Sequence, residues 1–157
     1  MTTVAQAYWR AIKPFVISYF ALQTMLRATL LLRGLREAGI TPSDTVEVFA
    51  RGLWMDAAAG VFFILPVAFV LLAKSRLGRT GTAALLFVFL FVLLFDFAAE
   101  HVFWTEFSTR FNFIAVDYLV YTQEVIGNIF ESYPVGLMVA GIAAAALGLT
   151  WKMHSKA

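Results

Sequence analysis

Cysteine is absent from this chain of 157 residues, so disulfide bonds and thiolate metal sites are excluded. Charge is also scarce. Only 14% of the residues are charged, against roughly a quarter in soluble domains. Basic runs interleaved with aromatic residues are missing, so nucleic acid is not an expected partner.

The chain is instead rich in apolar residues, which make up 61% of it and include 16 phenylalanines. Its mean hydropathy is +0.81. A soluble chain of this length has too small an interior to hide that much apolar surface from water. In a bilayer, apolar side chains can stay in contact with lipid and do not have to be buried. The composition therefore predicts an integral membrane protein.

Four apolar stretches are long enough to cross a bilayer, which takes roughly 20 mostly apolar residues. The first is the least apolar, because Gln23 and Arg27 interrupt it. We therefore expect an all-α integral membrane protein that forms one domain over residues 1–157. The four predicted spans cover about 15–32, 53–73, 83–103 and 135–151.

The distribution of basic residues predicts the orientation, because lysine and arginine are retained on the cytoplasmic side. Lys74, Arg76 and Arg79 lie between the second and third spans, with no acidic residue among them. This loop is expected to face the cytoplasm. Four spans then place both termini in the cytoplasm, and the acidic residues all fall toward the outer side.

The outer segment 104–134 is too polar to span and too aromatic for a free loop. Aromatic rings favour the headgroup layer. We predict two short interfacial helices there, broken near residues 112–115, with Asp117 capping the second. Pro42 indicates the start of another short surface helix, which leads into the second span.

Two sets of ionisable residues in the spans are candidate sites. Asp96 and Glu100 are four residues apart and share a helix face, which suits a cation or a lipid headgroup. The alternative is that they end the apolar stretch near water. Arg27 either extends to the interface or pairs with Asp56, Asp96 or Glu100 around a lipid phosphate.

The outer segment holds a further polar set. Its members are Glu106, Arg110, Asn112 and Asp117. As headgroup contacts, the arginine would bind phosphate and the carboxylates would bind hydroxyls or an amine. Pairing within the protein, which would hold the interfacial helices in place, is an equally good interpretation.

Signatures of catalysis are missing from this sequence: it contains no hydrolytic triad motif, phosphate-binding glycine loop or H-E-x-x-H helix. Its only histidines, His101 and His154, are predicted at opposite membrane faces. They are therefore not expected to bind a metal together.

The segment from Phe103 to Val135 reads FWTEFSTRFNFIAVDYLVYTQEVIGNIFESYPV. It resembles the lipoteichoic acid synthase-like family of membrane phosphoglycerol and phosphoethanolamine transferases, most closely from Arg110 to Leu119. A weaker likeness is Gly52-Leu53-Trp54-Met55-Asp56, which is similar to the family's Gly-x-x-x-Asp start of the second span.

The resemblance implies a bacterial cytoplasmic membrane protein of the cell envelope. It also implies a fifth span and an extracytoplasmic sulfatase-like domain with a threonine nucleophile and a divalent metal. The sequence stops after the fourth span, so no catalytic or cofactor residue can be carried over. The chain is expected to be a membrane platform, inactive alone, that meets an anionic or zwitterionic phospholipid headgroup and works with that domain in cis or in trans.

Two other functions remain open at this point. One is a non-enzymatic four-helix accessory or assembly protein of the membrane. The other is a small transporter, for which Arg27, Asp96 and Glu100 are the only support. These three residues are predicted near one face of the membrane, whereas transport sites usually lie near the midplane.

Overall fold

The computed structural model describes residues 4–38, 42–73, 78–112, 115–116 and 122–154. Within these ranges all regular structure is helical, which confirms the all-α fold class. The helices are α1 Val4–Ala38, α2 Pro42–Ala73, α3 Arg79–Phe107, α4 Thr122–Ser132 and α5 Val135–His154.

Helices α1, α2, α3 and α5 are long and apolar enough to cross a membrane, so the chain is a multi-pass membrane protein. Each predicted span lies inside one of these helices. The surface helix predicted from Pro42 is continuous with α2 and not a separate element. This continuity has a simple reason, since no proline lies between residue 43 and the apolar run, and a single glycine, Gly52, does not interrupt a long helix.

The outer segment differs in part from the expectation. Residues 104–107 continue α3, and α4 is a separate short helix. Asp117, the predicted cap, lies outside the described residues. Ser108 ends α3 in the left-handed conformation with φ of 50°, and its N–H donates to the Trp104 carbonyl over 2.8 Å. The chain turns at this point, which brings residue 110 back toward the last turns of α3.

Helix α1 packs against both α2 and α3, and α3 also packs against α5. The apolar core contains Phe15 of α1 and Phe89 of α3, whose rings meet edge to face with centroids 5.3 Å apart. Tyr19 packs against Gly60 of α2, where a Cβ atom would lie 2.8 Å from the tyrosine Cε1. Glycine therefore lets α1 and α2 approach closely at this level.

Candidate functional site

An ion pair joins α1 to α2 near one end of the bundle. Arg27 Nη2 donates to Asp56 Oδ1 over 2.8 Å, and each side chain is only 6% exposed. Arg27 therefore pairs inside the bundle with Asp56, one of its three predicted partners, whereas a lipid phosphate at this pair stays a prediction. Tyr19 supports the same contact, because its hydroxyl donates to the Asp56 carbonyl over 3.0 Å.

Gly52 makes this ion pair possible. A Cβ atom at Gly52 would overlap the guanidinium of Arg27. Gly52 precedes Asp56 by four residues, so the two lie one turn apart on the same face of α2. The glycine leaves space for the arginine and the aspartate accepts its hydrogen bond, which is a physical reason for the Gly-x-x-x-Asp spacing.

A second ion pair connects α3 to the segment that follows it. Arg110 donates through Nε to Glu100 Oε2 and through Nη2 to Glu100 Oε1, both over 2.7 Å. Such two-pronged pairs are the strongest hydrogen-bonded ion pairs in proteins. Glu100 is buried, whereas 38% of the Arg110 side chain is exposed. The pair thus holds the start of the outer segment against the bundle.

Hydrogen bonding to Glu100 raises the pKa of Arg110 above its ordinary value. Burial acts in the opposite direction, and the negative charges of Glu100, Asp56 and Asp96 raise the pKa further. Arg110 is therefore electrostatically coupled to all three carboxylates. We call Arg27, Asp56, Asp96, Glu100 and Arg110 the charged cluster.

The charged cluster has more negative than positive groups. Its three carboxylates face two guanidinium groups, and both of these are already paired with a carboxylate. Asp96 has Gln23 of α1 beside it as a neutral partner. Oδ2 of Asp56 is buried and accepts no hydrogen bond from the residues that the structure describes. An unsatisfied buried oxygen is costly in a low-dielectric environment.

Polar contacts between α1 and α3 continue beside the charged cluster. Thr29 Oγ1 lies 2.9 Å from His101 Nε2, and His101 Nδ1 donates to the Phe97 carbonyl over 2.8 Å. Arg33 Nη1 donates to Thr105 Oγ1 over 3.3 Å. These contacts fix the rotation of α3 relative to α1.

Sequence reasoning did not assign a role to Tyr19 or Gln23, although a usable signal is present. Tyr19, Gln23 and Arg27 are spaced four residues apart, which places them on one face of α1. A polar face inside an apolar span indicates contact with another polar group.

The other predicted site residues have separate surroundings. Glu106 Oε1 accepts a hydrogen bond from the Tyr133 hydroxyl over 2.7 Å, so it pairs within the protein. The carbonyl of Asn112 accepts from the N–H of Ala115 over 3.0 Å. Asp117 lies outside the described residues, and its predicted place in the polar set stays a prediction.

The two histidines lie at opposite ends of the bundle, as predicted. Arg79, at the start of α3, donates through Nε to His154 Nε2 over 3.0 Å. His101 lies 22 residues further along α3, which is about 33 Å for a helix. Among the described residues, no three His, Cys, Asp or Glu side chains are grouped so that they could hold a metal ion.

The site is therefore a buried charged cluster that ties three helices to the start of an outer segment, and its function has to be argued from this chemistry. Comparisons with protein-family models, curated proteins and solved structures found no match to the chain.

Proposed function

We propose that this chain is the membrane platform of a phosphoglycerol or phosphoethanolamine transferase of the bacterial cytoplasmic membrane. It would work with a sulfatase-like catalytic domain, in cis or in trans, and require that domain for activity. The observation that carries the proposal is the Phe103–Val135 segment, in which Arg110 folds back onto Glu100. The resemblance lies in this segment, and the ion pair gives its arginine, Arg110, a fixed position.

The orientation is proposed from the basic residues. Those among the described residues, such as Arg10, Arg79 and Lys152, lie at the end of the bundle away from the charged cluster. None of the segments that hold them contains an acidic residue. Under the positive-inside rule this end faces the cytoplasm, and the charged cluster faces the outer leaflet. The basic residues are Arg10, Lys13, Lys74, Arg76, Arg79, Lys152 and Lys156.

In this proposal, Arg110 is the residue that meets the headgroup. Its Nε and Nη2 atoms bind Glu100, so a lipid phosphate would approach the Nη1 edge of the partly exposed guanidinium. Glu100 acts as a positioning residue, because it fixes the plane and direction of that guanidinium. Arg27 and Asp56 position α1 against α2 beneath it. In this proposal, bond making and breaking belong to the catalytic domain.

The test measures transfer of labelled glycerol phosphate or ethanolamine phosphate from lipid to envelope acceptors in the native bacterium. Deleting the gene for this chain is expected to abolish one of these transfers. Arg110→Ala is expected to lower it about tenfold or more, which corresponds to about 1.4 kcal/mol. Membrane levels of the chain are measured alongside.

The matched control is Arg51→Ala, because Arg51 is exposed on α2 and forms an ion pair with the exposed Glu47 one turn away. This variant is expected to leave transfer unchanged. Transfer of both groups at the normal rate in the deletion strain would overturn the proposal.

A second candidate function is a non-enzymatic accessory or assembly protein. The observation that favours it is that Arg27, Arg110 and Glu106 all bind partners inside the protein. The double variant Glu100→Leu/Arg110→Leu separates the two functions, since it removes both charges together. A purely structural role predicts normal function when the folded protein is retained, whereas the transferase proposal predicts that transfer stays lost.

A further inference from the structure

Helix α4 is the described element with the least contact to the bundle. From Gln123 to Ser132 its residues are exposed, except for the half-buried Val125. The apolar side chains Ile126, Ile129 and Phe130 are 48%, 40% and 64% exposed. This exposed apolar surface requires a partner outside the bundle.

The apolar and acidic residues of α4 lie on opposite faces. At 100° per residue, Val125, Ile126, Ile129 and Phe130 share one side of the helix, and Glu124 and Glu131 project from the other. Contact through the apolar side would leave both carboxylates facing outward.

The connection to α5 fixes the height of α4 in the membrane. Only Tyr133 and Pro134 separate it from α5, which spans with 20 residues. A helix of that length is about 30 Å long and matches the hydrocarbon thickness of a bilayer. The C-terminal end of α4 therefore lies where the hydrocarbon ends, and the Tyr133–Glu106 hydrogen bond holds this end beside α3.

The charge of α4 is unusual for a helix at this position. Helices that lie on membranes are commonly rich in Lys and Arg on the polar face, and these residues bind anionic lipids. Helix α4 carries two exposed glutamates and no basic residue. The sequence contains no Lys or Arg from residue 111 to residue 151, so no basic side chain nearby in sequence compensates for them.

We infer that the apolar face of α4 docks onto a membrane surface of zwitterionic phospholipid, and that its two carboxylates disfavour anionic phospholipid around it. The position of α4, its exposed apolar face and the sign of its charge carry this inference. It does not depend on the proposed function, because it concerns the lipid surface beside the spans and not the transferred group.

The absence of cysteine allows a clean test in the full chain. Ile129→Cys places an environment-sensitive fluorophore on the apolar face, and Asn128→Cys places it on the polar side as the control. The labelled proteins are studied in nanodiscs that contain spin-labelled quencher lipid, with either phosphatidylcholine and phosphatidylethanolamine or a large share of phosphatidylglycerol. In the zwitterionic discs we expect strong quenching at position 129 and weak quenching at position 128.

In the anionic discs, we expect the ratio of docked to undocked α4 to fall by roughly tenfold, about threefold for each carboxylate. The Glu124→Gln/Glu131→Gln variant is expected to remove this dependence on lipid charge. Glu47→Gln removes an exposed carboxylate of α2 and should retain it. Equal quenching at positions 128 and 129 would overturn the docking. An unchanged ratio in anionic discs, or a dependence that survives in the double variant, would overturn the lipid selectivity.

Discussion

At one end of the bundle α1 and α3 meet through aromatic and aliphatic side chains such as Phe15 and Phe89, with Leu90 and Leu93 buried beside them. Toward the other end, the helices meet through the charged cluster and its neighbours. About 12 residues of α1 separate Phe15 from Arg27, or about 18 Å. Helices α1, α2 and α3 are thus joined by apolar contacts at one end and by ion pairs at the other.

The difference matters because the solvent is lipid. Hydrophobic exclusion does not favour apolar contacts between spans, since lipid tails are as apolar as the side chains they would replace. The apolar end is therefore held by close packing, which many arrangements of similar volume could provide. An ion pair forms in only a few relative positions of two helices. We therefore expect the charged cluster to determine the rotation and height at which the helices pack.

Breaking the Arg27–Asp56 pair should have the largest effect on stability. Arg27→Ala leaves a buried carboxylate without its partner, which typically costs about 3 to 5 kcal/mol. The measurement is the free energy of unfolding in bicelles. Arg27→Leu/Asp56→Leu should recover most of the loss, because neither charge is then left unpaired.

The control for this prediction is Arg51→Ala, which removes an exposed ion pair of α2. It should change the free energy of unfolding by about 0.5 kcal/mol or less. A loss of stability in Arg27→Ala no larger than in this control would show that the charged end does not fix the helices.

A cavity at the apolar end should have a smaller effect. Phe89→Ala removes a buried ring that packs on Phe15. In an aqueous core such a change costs about 3 to 5 kcal/mol. Here we expect about 2 kcal/mol, because the part due to transfer from water is missing in lipid. A cost above that of Arg27→Ala in the same unfolding assay would reverse the comparison between the two ends.

Crowding the charged end should cost less again. Gly52→Ala puts a methyl group where the Arg27 guanidinium lies, and the arginine has to shift away from Asp56. We expect a loss of about 1 to 2 kcal/mol in the free energy of unfolding. Gly141→Ala in α5 is the matched control, because a Cβ atom there meets nothing within 4 Å. Alanine in an open helical position should be neutral or slightly stabilising.

The sequence was sufficient to predict the four spans, because length and apolar content decide whether a helix can cross a bilayer. The sequence was less informative about which side chains of different helices contact each other. Periodicity placed Arg27 and Asp56 on helix faces, but it did not show which acidic residue the arginine meets, since that depends on the rotation of α1 against α2. The spacing of Gly52 and Asp56 is explained only by the position of Arg27 between the helices, where Gly52 leaves it space and Asp56 pairs with it.

The fold-back of Arg110 onto Glu100 could not be predicted for a related reason. It follows the turn at Ser108, where a residue other than glycine has a positive φ. Such residues are uncommon, and sequence rules place these turns at glycine or asparagine first. The final contact, a bidentate ion pair between residues ten apart, has no sequence periodicity that would indicate it.

The smallest expected effect concerns the junction between α3 and α4. Hydrogen bonding to Glu106 raises the pKa of Tyr133 above its ordinary value of 10.0. Because the pKa is raised in the folded protein, the contact contributes fully below about pH 10 and is lost as the pH rises through the folded value. Its contribution disappears when a tyrosinate forms beside the carboxylate.

Tyr133→Phe removes this pH dependence along with the hydrogen bond. We expect the variant to loosen α4 slightly at about pH 8, measured as faster hydrogen exchange of the α4 amides, and this difference from the wild type to shrink as the pH rises toward the folded pKa of Tyr133. Tyr8→Phe is the control, because the Tyr8 hydroxyl donates to a carbonyl of α2 far from α4. If Tyr133→Phe leaves exchange in α4 unchanged at about pH 8, the hydrogen bond does not hold α4, and its position depends on the membrane surface alone.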